Sequence, residues 1–234
     1  MKTIRHLILA SLAAAAMLTF VRPGHAIVNP GSGTLTVIHG IPALPARVDV
    51  FVDGSKLFDF DFGDQEGPLV LPANDYFVEV KLLGNTVLAT TATIAAGRDY
   101  TAIAHLLPNG GGISLSLFEN DTRFFRRGST LTVRHTADAP PVNIELLLTR
   151  FNFPLGTFGP MKNGGQIGPV NLPPGRYTAV VRDEATNSVV TPVAVSLAPR
   201  TRQIVYAVGS LSDGTFTVIV QEIPISRLIL LRER

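Results

Sequence analysis

Apolar and polar residues alternate along most of this chain, and the clearest alternation is written twice. Thr34-Leu35-Thr36-Val37-Ile38-His39 returns 96 positions later as Thr130-Leu131-Thr132-Val133-Arg134-His135. A period of two predicts a strand with Leu35, Val37 and His39 on one face and Thr34, Thr36 and Ile38 on the other. In the second copy Leu131, Val133 and His135 share a face, while Thr130, Thr132 and Arg134 point away. Each strand runs into a Pro-rich turn, Gly40 to Pro45 and Thr136 to Pro141. A signature recurring at that distance predicts two copies of one domain, not a solenoid of short repeats.

The next strand, Val48 to Asp53, turns its valines inward, and Asp53-Gly54 signals a hairpin returning through Lys56 to Phe62. In the second copy Asn143 to Leu148 continues into a Phe/Gly/Pro-rich stretch, with Phe158-Gly159 aligned to Phe62-Gly63 at the same offset. A second shared signature is offset by 101: Leu71-Pro72-Ala73-Asn74-Asp75-Tyr76 and Leu172-Pro173-Pro174-Gly175-Arg176-Tyr177. Pro fixes φ entering such a turn, and Asn or Gly tolerates φ > 0. A Tyr opening the following strand predicts a tyrosine corner, its hydroxyl bonded to backbone near the turn.

Three further runs close each copy: Thr86 to Ile94, Asp99 to Leu107 and Ile113 to Phe118, then Ser188 to Leu197, Arg202 to Val208 and Thr215 to Ile223. About seven short strands per ~100 residues predict an all-β chain of two tandem immunoglobulin-like or transthyretin-like antiparallel β-sandwiches. The repeats are expected at 27–122 and 129–225, joined by 123–128 and followed by a basic tail, 226–234. Arg123-Phe124-Phe125-Arg126-Arg127 is too apolar for a loose tether, so the two sandwiches are expected to pack together.

Residues 1–26 stand outside this pattern. Lys2, Arg5 and His6 precede an apolar run from Leu7 to Val21, and Gly24-His25-Ala26 supplies small residues for cleavage, as in a secretory signal peptide. The run is shorter than the ~20 residues of a spanning helix, so no stable membrane span is expected after cleavage. The chain has no Cys, which excludes disulfides and suits a periplasmic or extracellular protein whose core needs no covalent staple.

Removing Lys2, Arg5 and Arg22 turns the net charge of +2 into −1. That charge is unevenly shared. Residues 27–122 carry 4 bases and 11 acids, whereas 123–225 carry 10 bases and 6 acids, and the tail adds +2. An acidic half beside a basic half argues against a uniform nucleic-acid-binding surface. It is compatible with the two repeats facing each other, with head-to-tail association between molecules, or with two surfaces that drifted independently.

The stretches His39 to Gly54 and His135 to Val142, with the later Leu-Pro-x-x-x-Tyr, resemble the bacterial domain-of-unknown-function family 4397. Its pattern is a Val/Leu-rich strand ending in His, then Ser-Pro-Asp-Ala-Pro-x-Val-Asp-Val-Tyr-Val-Asp-Gly. Val48-Asp49-Val50-Phe51-Val52-Asp53-Gly54 and Asp138-Ala139-Pro140-Pro141-Val142 fit it. The first copy departs with Ala43-Leu44-Pro45 at the turn, and the second with Asn143-Ile144-Glu145 and no Asp-Gly. The resemblance implies an exported, often envelope-associated tandem β-sandwich with no assigned activity, and it transfers no catalytic residue.

His39 and His135 are the obvious places for chemistry. Zinc needs three or four ligands, yet each His has no Cys, no second His at ligand spacing and one nearby acid, Asp49 or Asp138. Ring nitrogens bonded to the following turn account for the same placement. No Gly-x-Ser-x-Gly elbow offers a nucleophile. Asp59, Asp61, Asp64 and Glu66 suggest a calcium loop, but Asp59 and Asp61 alternate with Phe58, Phe60 and Phe62 as on a solvated strand face. Gly110-Gly111-Gly112 lacks the Lys-Ser/Thr of a phosphate cradle and reads as a hairpin loop. Phe51, Phe77 and Ile38 fall on nominally outward positions and mark a second-sheet contact, a domain interface or a binding patch.

No catalytic, cofactor or metal site is therefore expected. The chain reads as an exported, non-enzymatic binding or structural module of the envelope or extracellular space, partnered by an envelope polymer or another protein and not by nucleic acid. The alternative is a hydrolase or metal-dependent enzyme centred on His39.

Overall fold

The computed structural model describes residues 31–42, 47–122 and 128–224. The expected signal segment, Arg123 to Arg127 of the expected linker and the tail lie outside the described residues. The first repeat forms β1 (Ser32–His39), β2 (Val48–Val52), β3 (Ser55–Phe60), β4 (Gln65–Pro72), β5 (Asn74–Leu82), β6 (Asn85–Ile94), β7 (Asp99–Leu106) and β8 (Ile113–Asn120). The second repeats it as β9 (Ser129–His135), β10 (Val142–Leu148), β11 (Phe153–Met161), β12 (Gly165–Leu172), β13 (Gly175–Asp183), β14 (Val189–Leu197), β15 (Thr201–Val208) and β16 (Thr217–Pro224). Each repeat is a sandwich of two four-stranded sheets. The orders are β4-β1-β7-β8 over β3-β2-β5-β6, and β12-β9-β15-β16 over β11-β10-β13-β14.

Two features depart from the sequence expectation. Each sandwich contains one parallel pair, β1 with β7 and β9 with β15, so one sheet of each is mixed. Each also has an eighth strand, β4 or β12, in a stretch whose Gly67-Pro68 and Gly168-Pro169 read as loop punctuation. Both are edge strands, where a Pro with no N–H costs no ladder bond. The glycines are needed there. Gly67 has φ +129° and Gly168 φ +99°, and an added Cβ would lie 2.7 Å from the Leu35 carbonyl or 2.6 Å from the Leu131 carbonyl. Both sit where the edge strand slips register against β1 or β9.

The 96-residue offset between Phe62-Gly63 and Phe158-Gly159 does not survive. Gly63 N–H donates to the His39 carbonyl (2.9 Å) and Gly164 N–H to the His135 carbonyl (2.7 Å), so Gly63 corresponds to Gly164. The cause is the intervening hairpin. Twelve positions separate Val48 from its partner Phe60, but nineteen separate Val142 from Met161, so the second hairpin is seven residues longer.

The strand parity holds. Leu35 packs with Ile94, Tyr100 and Ala102, and Leu131 with Val142, Ile144 and Val205, each between its own two sheets. The opposite faces of β1 and β9 are also buried, because the sandwiches dock through the sheets that contain them. Ile38 and Ile103 of the first meet Ile204, Tyr206, Val208 and Ile219 of the second. This explains why Thr34, Thr36, Thr130 and Thr132 are buried although polar. Arg134 takes the outward direction its parity predicts. Its side chain points away from its own core into the other sandwich and is 1% exposed.

Candidate functional site

The histidines that close β1 and β9 come first. Both are buried, His39 at 2% exposure and His135 at 1%. In each, the N–H two residues on donates to Nδ1: Ile41 to His39 (3.3 Å) and Ala137 to His135 (3.4 Å). An accepting Nδ1 leaves the proton on Nε2, which in His135 donates to the Pro140 carbonyl at 3.0 Å. The ring thus ties the end of the strand to the turn that follows it. The edge of the Phe62 ring meets His39. Burial pushes both imidazoles below their ordinary pKa; Asp64 and Asp61 pull His39 partly back up, and the Pro140 hydrogen bond does so for His135.

The acids near them are engaged elsewhere. Asp49 pairs with Lys56 (3.0 Å), and Asp138 accepts from Asn109 N–H (2.7 Å) and from Ser210 (3.3 Å). Asp59 pairs with the same Lys56 and Asp61 with Arg47 (3.2 Å), while Asp64 accepts from Asp61 N–H (2.8 Å). Glu66 lies in β4. The calcium-loop candidates are thus distributed among bases and a turn. Among the described residues no group of three or more His, Asp or Glu is placed to hold a metal ion. Gly110 to Gly112 lie in the connection from β7 to β8, closed by Leu107 N–H on the Gly112 carbonyl (2.8 Å). Phe51 carries the Lys81 ammonium over its ring at 4.2 Å, Ile38 lies in the interface, and Phe77 is half exposed.

Sequence reasoning missed the polar cluster between the sandwiches. Arg134 donates from Nε to Gln166 (2.8 Å), from Nη1 to the Tyr206 hydroxyl (2.6 Å), and from Nη2 to Asn120 Oδ1 (2.8 Å) and the Glu119 carbonyl (3.3 Å). Its guanidinium also covers the Phe118 ring at 4.4 Å. Tyr206 donates to Gln221 (2.8 Å), which accepts from Thr101 (3.0 Å) across the interface. Asn120 donates to Thr101 (3.0 Å) and to Asp99 (2.8 Å), and Thr34 donates to the other Asp99 oxygen. Burial raises the Asp99 pKa, opposed by the Thr34 and Asn120 hydrogen bonds and by Arg202 and Arg134. The available signal was the single difference between the two copies of the opening strand: an Arg replaces Ile38, at a position whose parity faces away from the core.

His105 also escaped notice. Its Nδ1 faces the Leu106 carbonyl (2.9 Å), so that nitrogen carries the proton and Nε2 accepts from Ser116 (2.8 Å). That is the contact of a nucleophile with its base. Here the orienting group is a backbone carbonyl, and the ring is 1% exposed. Burial lowers its pKa, the Leu106 bond opposes this, and neighbouring His135 lowers it further. Asn163 Nδ2 spans the same seam, donating to the Leu106 carbonyl (2.9 Å) and the Ala137 carbonyl (2.8 Å). A fourth feature is an apolar cavity of about 40 Å³ between the sheets of the first sandwich, walled by Val50, Val78, Ala92, Ala102 and Leu115.

No curated protein matches this chain. A family model does, from Gly33 through the whole of the first sandwich and on to Glu145 in β10. The matched stretch contains both histidine-ended strands and the turn after each. Over residues 33–145 the chain matches the model of the family described as Domain of unknown function (DUF4397).

Proposed function

We propose that this protein is an exported, non-enzymatic binding or structural module of the bacterial cell envelope or extracellular space. One observation carries the reading: His39 and His135, the repeated ionisable residues, are buried with their Nδ1 atoms committed to the following turn. A ring held neutral and out of solvent is suited to fixing a loop, and poorly suited to exchanging protons with a substrate. The docking of two sandwiches through a satisfied polar cluster supports a rigid double scaffold whose outer sheets and loops present the binding surface. The leader at 1–26 and the absence of Cys support export.

Co-sedimentation of residues 27–234 with peptidoglycan, lipopolysaccharide and capsular polysaccharide tests this directly. Saturable binding is expected to one of them, unchanged by a metal chelator and retained by His39→Gln. Ester or peptide hydrolysis that disappears in His39→Gln would overturn the proposal in favour of a His39-centred enzyme.

A further inference from the structure

Among the described residues, each sandwich leaves four strands at sheet edges: β3, β4, β6 and β8 in the first, β11, β12, β14 and β16 in the second. An edge strand presents unpaired N–H and C=O groups to any extended chain, and proteins blunt such edges with Pro, charge or brevity. Nearly all of these edges carry such a device. Pro68 lies in β4, Pro154 and Pro160 in β11, Pro169 in β12 and Pro192 in β14, while β16 contains Glu222 and ends on Pro224. β3 is 6 residues long and holds Lys56 and Asp59, and β8 holds Glu119. β6 is the exception: its 10 residues, Asn85–Ile94, include no Pro and no charge.

The second repeat supplies the comparison. Tyr76 lies opposite Ala92 and the equivalent Tyr177 opposite Val195, so Ala89, opposite Glu79, corresponds to Pro192, opposite Val180. Pro192 sits inside an unbroken run of pairs from Gly175 with Leu197 to Val181 with Thr191. Residues of an antiparallel strand alternate between those bonded to the neighbouring strand and those whose backbone groups point away. A Pro leaves the ladder whole only in the second kind. Position 192 therefore points out of the sheet, as Ala89 does in β6, and the period of two adds Thr91 and Thr93. All three β6 residues are exposed. One fold thus blocks this edge in its second copy and leaves it open in its first.

The side chains decide what can pair here. Ala89, Thr91 and Thr93 are small and neutral, and the acids opposite β6 are tied back within their own sheet. Thr86 donates to Glu79 (3.0 Å), which also meets Lys81 (3.6 Å), and Thr93 donates to Asp75. A second β6, run antiparallel about a two-fold axis at Thr91, matches this edge. Thr91 then lies opposite its twin, Ala89 opposite Thr93, and Leu88 opposite Ile94, so the open groups of Ala89, Thr91 and Thr93 meet each other and every opposing pair is uncharged. The stretch this uses, Leu88 to Ile94, is also where β6 pairs with β5 without a register shift.

We propose that β6 is a self-association edge: two copies of this chain join antiparallel at Thr91, fusing their β3-β2-β5-β6 sheets into one. So short a contact gives a dimer in equilibrium with monomer, not a permanent one. This does not depend on polymer binding, so either can fail alone. The test is sedimentation velocity of residues 27–234 over a concentration series. The mass should rise from one copy towards two, and more readily with added salt, because residues 27–122 carry 4 bases against 11 acids and salt screens the like charges. Ala89→Pro gives β6 the device of β14; it removes one N–H from each copy and should weaken dimerisation about tenfold or more, with thermal unfolding matching the parent. Thr91→Lys should weaken it too, while Ala194→Lys, at the corresponding position of β14, should dimerise as the parent does. The chain has no Cys, so Thr91→Cys reports the register. Its Cα would lie about 5.5 Å from its twin, within disulfide reach, and oxidised glutathione should cross-link it. Ala89→Cys, about 13 Å from its twin, should stay uncross-linked. A parent monomeric at every concentration, a dimer dissolved by salt, a dimer indifferent to both Ala89→Pro and Thr91→Lys, or cross-linking through Ala89→Cys and not Thr91→Cys would each overturn the proposal.

Discussion

Replacing Arg134 by Ala tests how the sandwiches are held together. The guanidinium donates to four acceptors, of which the Tyr206 hydroxyl and Asn120 Oδ1 belong to fully buried residues. A buried polar atom that loses its partner costs about 1–3 kcal/mol; Asn120 Oδ1 is orphaned here, while the Tyr206 hydroxyl keeps its bond to Gln221. Removing the long stem also opens space against Phe118 and Tyr206. Relief of a desolvated charge offsets part of this. The balance is a loss of about 2–3 kcal/mol, a large share of the 5–15 kcal/mol of an ordinary domain. Urea unfolding followed by far-ultraviolet circular dichroism and by tyrosine fluorescence measures it. The parent should unfold in one transition by both probes, while the variant should lose stability and separate the probes as the sandwiches unfold independently. A double-mutant cycle with Asn120→Ala should give a coupling above about 1 kcal/mol. A loss below about 1 kcal/mol, or negligible coupling, would refute the view that this cluster joins the repeats.

Three further outcomes follow from the same geometry. Ala92 and Ala102 line the cavity of the first sandwich, where the second carries Val195 and Val205 at the same register positions; Ala92→Val should therefore stabilise by about 1 kcal/mol by calorimetry, and destabilisation would mean the cavity is not accessible to those methyls. Tyr177→Phe removes the hydroxyl that donates to the Pro173 carbonyl (2.7 Å) and should cost about 1 kcal/mol in urea, with Tyr76→Phe at Pro72 (2.9 Å) behaving alike. Because the folded pKa of His39, His105 and His135 lies below the ordinary 6.5, the unfolded chain takes up protons first and stability falls as pH drops through that value, by at most about 1.4 kcal/mol per pH unit and ring. Asp99 acts with opposite sign: its raised pKa imposes a cost above the folded value that is relieved as pH falls through it, so the decline should flatten at the acid end of a denaturation series.

The periodicity of the chain carried most of the fold. Both opening strands, their inward faces and both tyrosine corners were legible, because each rests on local alternation or on a Pro-x-Gly/Asn turn next to a Tyr. Strands β4 and β12 were not, since Gly-Pro ordinarily breaks a strand and only their edge position makes it harmless. The parallel pairing of β1 with β7 joins residues some 65 positions apart, such as Thr34 with Asp99, and no local pattern encodes it. Arg134 shows the same limit at the level of chemistry. Its parity was right, but what lay on that side was a second domain, and a charged residue facing outward reads as solvated until its neighbour is placed. His105 stood in a strand with no repeat partner to draw attention to it, Val208 taking its place in β15.

The central claim is that the histidines closing β1 and β9 hold turns and carry no reaction. Long-range proton–nitrogen correlation spectra of the imidazoles, recorded across a pH series on residues 27–234, test it most directly. His39 and His135 should appear as neutral Nε2–H tautomers and His105 as the neutral Nδ1–H tautomer, each remaining neutral below pH 6.5, the ordinary value for a free ring. A His39 or His135 ring that titrates at or above that value, or that exchanges between tautomers, would show an imidazole open to solvent and free for proton transfer, and would contradict the account.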